Sequence, residues 1–64
     1  MVIINGRETT TPQNSMSEYL SEQGYVFSRI AVEKNGEIVK KSQYDTVYFQ
    51  DGDIVEIVSF VGGG

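Results

Sequence analysis

Two Asn-Gly dipeptides, Asn5-Gly6 and Asn35-Gly36, each stand between short β-prone runs, and they constrain this chain more than any other feature. Asn and Gly tolerate the positive φ angles that a type I′ turn needs at its central positions, so each pair predicts a tight antiparallel hairpin. Val2-Ile3-Ile4 and Arg7-Glu8-Thr9-Thr10-Thr11 flank the first turn and form an opening hairpin. Ile30 and Val32 alternate with Ala31 and Glu33 before the second turn, and Ile38-Val39 returns from it.

Between the hairpins the signals change. Pro12 lacks a backbone donor and ends the second strand, and Ser15 and Glu18 stand at capping-box spacing, so a helix begins near Met16. Met16, Tyr19 and Leu20 fall on one stripe, while Ser17, Glu18, Ser21 and Glu22 face water, and Gly24 supplies a left-handed cap. Beyond the second hairpin, Lys40 to Asp45 reads as an irregular connection or a single helical turn carrying Tyr44. Val47-Tyr48-Phe49 is a brief β-prone run, and Asp51-Gly52-Asp53 turns the chain into a last strand from Ile54 to Val61.

A hairpin, one crossover helix and further strands put that helix on one face of a mixed sheet, which is an α+β architecture, the β-grasp. Four or five strands packed on one short helix are expected. In the last strand, Val55 and Ile57 point to the core, and Ile54, Glu56, Val58 and Phe60 point away, because side chains alternate with period two. The opposite register would bury Glu56 unpaired, at a cost of several kcal/mol, on the order expected for an uncompensated polar group. Val58 and Phe60 are therefore expected on an exposed face, where apolar side chains mark a candidate partner-docking site.

Composition narrows the function. The chain has 64 residues, enough for one domain, expected over residues 1–61 with a flexible tail at 62–64. It contains no Cys and no His, so thiolate chemistry, disulfides and the commonest general base are all excluded, and side-chain catalysis is not expected. A net charge of −4 disfavours a phosphate backbone, so no nucleic-acid partner is expected. The first residues have no basic start, and their apolar run is too short for a signal peptide or membrane span, so a cytoplasmic protein without membrane contact is expected. Asp51 and Asp53 offer too few ligands for a cation and read as turn residues, Lys40-Lys41 as a solvated pair, and Tyr19, Tyr25, Phe27, Tyr44, Tyr48 and Phe49 as core and rim packing. No metal and no bound cofactor are expected.

The sequence closes on Phe60-Val61-Gly62-Gly63-Gly64, three residues without a Cβ directly after a strand. Such a stretch is either a frayed end or a thread. A glycine thread fits a narrow channel, adopts backbone angles closed to other residues, and presents its α-carboxylate without side-chain hindrance. Ordering it costs about 1–2 kcal/mol per residue, so a partner that grips it must also contact the globular face.

These residues together resemble the ThiS family of thiamin-pathway sulfur carriers, which are ubiquitin-like β-grasp proteins. The likeness is carried by the opening strand with Asn5-Gly6, by Ile30-Ala31-Val32 followed by Asn35-Gly36-Glu37-Ile38-Val39, by Asp51-Gly52-Asp53 with Val55-Glu56-Ile57-Val58, and by the terminal Gly-Gly. It covers essentially the whole chain. The resemblance implies a carrier, not an enzyme. A ubiquitin-activating-type enzyme uses ATP and magnesium to adenylate the carboxylate of Gly64, a sulfur donor system converts it to a thiocarboxylate, and thiazole synthase receives the sulfur. Gly62, Gly63 and Gly64 would enter the partners' active sites, Val58 and Phe60 would dock, and the free carrier would be a monomer. Gly62 stands where relatives carry Ala or another small residue. The basic residues that precede Gly-Gly in ubiquitin are replaced here by Ser59, Phe60 and Val61, which argues against protein conjugation. The molybdopterin-synthase small subunit shares the ending but is longer and often has prolines before it, whereas Pro12 is the single proline here. Its pathway, another sulfur-requiring pathway, or a non-covalent β-grasp interaction module are the alternatives.

Overall fold

The structure, a computed structural model, describes residues 1–60. Among the described residues there are five strands and one α-helix: β1 (Val2–Ile4), β2 (Arg7–Thr9), α1 (Met16–Glu22), β3 (Ile30–Lys34), β4 (Glu37–Val39) and β5 (Ile54–Ser59). Short 3₁₀ turns lie at Phe27–Arg29 and Lys41–Gln43. The sheet order is β2-β1-β5-β3-β4, with β1 and β5 parallel at the centre and the other neighbours antiparallel. This is the expected mixed sheet, and it has five strands.

Both hairpins close through the expected turns. Asn5 and Gly6 have φ of 51° and 80°, and Asn35 and Gly36 have 53° and 86°, the left-handed pairs of a type I′ turn. β2 stops at Thr9, short of Thr11, whose hydroxyl instead donates to Asp51 Oδ1.

Helix α1 starts as its sequence dictates. Ser15 Oγ accepts from the Glu18 N–H and Glu18 Oε1 accepts from the Ser15 N–H, closing the capping box. Two more of the unpartnered N–H groups of the first turn, those of Met16 and Ser17, donate to the carbonyls of Val47 and Tyr44 at 2.8 and 2.9 Å. At the other end Gly24, at φ 85°, lets its own N–H reach the Ser21 carbonyl and the Tyr25 N–H reach that of Leu20, a Schellman closure.

The capping of α1 explains a departure from expectation. Val47-Tyr48-Phe49 is not a strand: only a single bridge joins Tyr48 to Ser15, because this segment runs along the helix start, where the Val47 carbonyl accepts from the Met16 N–H, and the Tyr48 carbonyl accepts from the Lys34 ammonium. Phe49 is buried, but Tyr48 is 54% exposed and is not part of the packing expected of it. Lys40 and Lys41 are both exposed, as expected of a solvated pair, and the Lys41 ammonium also donates to the Ile30 carbonyl at 3.2 Å. The single helical turn before Tyr44 is present, and Tyr44 itself is fully buried.

The core lies between α1 and one face of the sheet. Val2 and Ile4 from β1, Ile30 and Val32 from β3, and Val55 and Ile57 from β5 meet Met16 and Leu20 from α1, closed off by Tyr44 and Phe49. Edge-to-face ring pairs join Tyr19 to Phe49 at 5.1 Å and Phe27 to Tyr44 at 5.3 Å, so the aromatics tie the helix and the connections together. Burial raises the Tyr44 hydroxyl above the usual tyrosine range, and burial followed by the neighbouring Tyr25 does the same for Tyr19.

Candidate functional site

The candidate site is the outgoing end of β5. This strand is held on both sides, by β1 at Ile54 and Val55 and by β3 from Val55 to Ser59. The last described backbone bond runs from the Phe60 N–H to the Arg29 carbonyl at 2.9 Å, one residue beyond the strand. The expected strand end at Val61 and the tail residues Gly62, Gly63 and Gly64 lie outside the described residues.

The start of β5 is fixed by the two hairpin turns. Asn35 Oδ1 accepts from the Ile54 N–H at 2.9 Å, its Nδ2 donates to Asp53 Oδ1 at 2.9 Å, and Asn5 Oδ1 accepts from the Ile57 N–H at 2.7 Å. The turn asparagines thus also supply ladder bonds to the strand that leads into the tail. Sequence spacing revealed their backbone role and not this second one, because the partners are 19 and 52 positions away.

Asp53 completes the arrangement. It is buried, accepts from the Gln50 N–H at 2.9 Å, and has the Lys34 ammonium 3.6 Å away. Burial alone would raise its carboxyl, but the Asn35 amide, the Gln50 N–H and Lys34 outweigh burial and hold it below the ordinary carboxylate range. Asp51 serves a different contact: the Met1 ammonium and the Thr11 hydroxyl donate to it, and both lower its carboxyl. The two carboxylates of this turn therefore face separate partners, as turn residues.

On the open face, opposite the helix, Ile54, Glu56, Val58 and Phe60 project from β5 and its extension, as alternation predicts. Val58 is 58% and Phe60 50% exposed, and Ile38 and Ile54 stand in solvent nearby. The register places Ala31 opposite Val58 and Ile3 opposite Ile54. The face is continuous with the outgoing chain and has an apolar component that folding leaves uncovered.

Comparison with known proteins gives this site its context. Residues 2–64 match the profile of the ThiS family. The chain belongs to the ThiS family. It is 39% identical over 70 residues to the sulfur carrier protein ThiS of Bacillus subtilis, with all of both chains covered. It is 44% identical over 64 residues to a thiazole synthase of Paramagnetospirillum magneticum, and there the match covers 98% of this chain and 20% of the relative, so the chain spans about a fifth of that protein. Among solved structures, the ThiS thiamine biosynthesis protein of Geobacter metallireducens superposes with a TM-score of 0.78 at 31% identity, covering 98% of this chain and 97% of that one. The ThiS fold is the expected β-grasp, with its mixed five-strand sheet and single helix.

Proposed function

We propose that this chain is a sulfur carrier of thiamin biosynthesis whose reacting group is the α-carboxylate of Gly64. One observation carries the reading: a ThiS-family match that runs through residue 64 falls on a chain whose sheet ladder reaches Phe60 and is followed by Val61 and three glycines. Four residues beyond Phe60 span up to about 14 Å when extended, enough to carry a carboxylate well away from the globular surface.

The chemistry follows from the carboxylate's weakness as an electrophile. In a ubiquitin-activating-type partner holding ATP and magnesium, a Gly64 oxygen attacks the α-phosphorus, pyrophosphate leaves, and an acyl-adenylate forms. A sulfur nucleophile from a donor system then attacks the acyl carbon and AMP departs, leaving a thiocarboxylate that thiazole synthase consumes. The partners supply the catalytic groups, and this chain supplies a thin acyl handle and a docking face that includes Val58 and Phe60. The carrier holds no metal or cofactor of its own in this scheme. It acts as a monomer in the cytoplasm, where ATP is at hand; among the described residues no helix is long and apolar enough to cross a membrane.

The test is the intact mass of the protein purified from its own cells, before and after incubation with ATP, magnesium and the cell's adenylating enzyme. An oxygen-to-sulfur exchange or an added adenylyl group mapped to Gly64 is the expected result. Removal of Gly63 and Gly64 should abolish this modification and leave the melting temperature unchanged. A shortened chain that is still adenylated would overturn the assignment and favour a non-covalent interaction module.

A further inference from the structure

The open face carries a charge arrangement that folding does not explain. In the β3–β5 ladder Glu33 lies directly opposite Glu56, and both side chains are exposed on the open face. Directly opposed like charges on a sheet are destabilising. Among the described residues neither carboxylate has an ion-pair partner: the ion pairs join Met1 to Asp51 and Lys34 to Asp53, and Lys34 alternates away from Glu33 toward the helix side. Around the pair lies a depression of about 210 Å³ whose lining includes Ala31, Ile38 and Val58. The result is two uncompensated carboxylates beside the exposed Ile38 and Val58, and one of them, Glu56, lies upstream of Phe60 on the strand that leads to the tail.

The charge decides what can cover this face. A second copy packed face to face across a two-fold axis would bring four carboxylates together, so self-association is disfavoured. Polyanions and anionic membranes are repelled on the same ground. A protein surface with a cation set among apolar groups is complementary in both respects. An enzyme that binds both a triphosphate and the tail's carboxylate needs a cationic entrance, and the sheet face borders the root of that tail.

Resting on the carrier reading above, we propose that Glu33 and Glu56 are the electrostatic centre of the docking face and receive an arginine or lysine of the adenylating enzyme, with Ile38 and Val58 as flanking apolar contacts. The stability lost to their repulsion in the free carrier is recovered when the cation sits between them. Neutralising either carboxylate should then strengthen the free fold and weaken docking together, an opposition that a merely structural role would not produce.

The experiment measures ATP–pyrophosphate exchange by the adenylating enzyme as a function of full-length carrier, for the natural chain, Glu33→Gln, Glu56→Gln, the double variant and Glu37→Gln. Glu37 is exposed on β4 and alternates to the side opposite Ile38, so it reports net charge without the face. Each single variant should raise KM about threefold and the double variant about tenfold, with kcat changed less than about twofold, and the salt dependence of KM should flatten. Melting temperatures of Glu33→Gln and Glu56→Gln should rise by about 2–5 °C. An unchanged KM in the double variant, an equal rise in Glu37→Gln, or a fall in melting temperature on neutralisation would each overturn the proposal. Failure of the natural chain to support exchange at all would overturn the carrier reading itself and this docking assignment with it.

Discussion

Along β5, Val55 and Ile57 enter the core while Glu56 between them and Val58 beside them stand in solvent. The two faces of this sheet are thus built from the same strands, and one is covered by α1 and the connection that carries Tyr44 and Phe49, while the other is covered by nothing in the described chain. On the covered face every large side chain is accounted for by the hydrophobic effect, and hydrogen bonds such as those of Asp53 are fully satisfied. On the open face, Ile38, Ile54, Val58 and Phe60 remain exposed, and Glu33 opposes Glu56 without compensation. Residues that folding does not require are the ones to test for function, and of these Val58 and Phe60 stand at the end of β5 that leads to the outgoing chain.

Truncating the core should have the largest effect on stability. Leu20→Ala removes a fully buried side chain and should cost about 2–5 kcal/mol in urea unfolding, whereas Val58→Ala on the same domain should change stability by less than about 0.5 kcal/mol. Comparable losses from the two would break the distinction between the faces.

A smaller effect tests whether Asp53 is a fold residue and not a ligand. Asp53→Asn should cost about 1–3 kcal/mol at neutral pH, because the Asn35 amide and the Gln50 N–H lose the charged acceptor that the buried Asp53 gives them. The folded-state value of this carboxyl lies below the roughly 3.9 of an unfolded aspartate, so its contribution is complete above that value and is lost as pH falls through the lower one. The natural protein should therefore lose more stability than the variant as pH falls below about 4. Parallel acid limbs in the two unfolding curves would contradict this.

The smallest effect on the fold is expected at Phe60. Phe60→Ala should leave the melting temperature within error and weaken binding to the adenylating enzyme by about 1 kcal/mol, roughly fivefold, in titration calorimetry. Equal affinity would remove Phe60 from the docking face and confine docking to residues nearer Glu56.

The parts of this protein that could be read along the chain are those set by residues within a few positions of each other. The Asn-Gly turns, the Ser15–Glu18 capping box, the Gly24 closure and the in-and-out alternation of β5 depend on local backbone angles and on side-chain period, and residue type states both. The glycine ending was visible in the same way. Only the tertiary structure decided that β5 lies between β1 and β3, that Asn5 and Asn35 bond to it, that Val47 serves the helix start instead of a sheet, and that Glu33 meets Glu56. Each of these is a choice among distant hydrogen-bonding partners, settled by which pairing satisfies the most backbone groups around one core, and that depends on the whole chain at once.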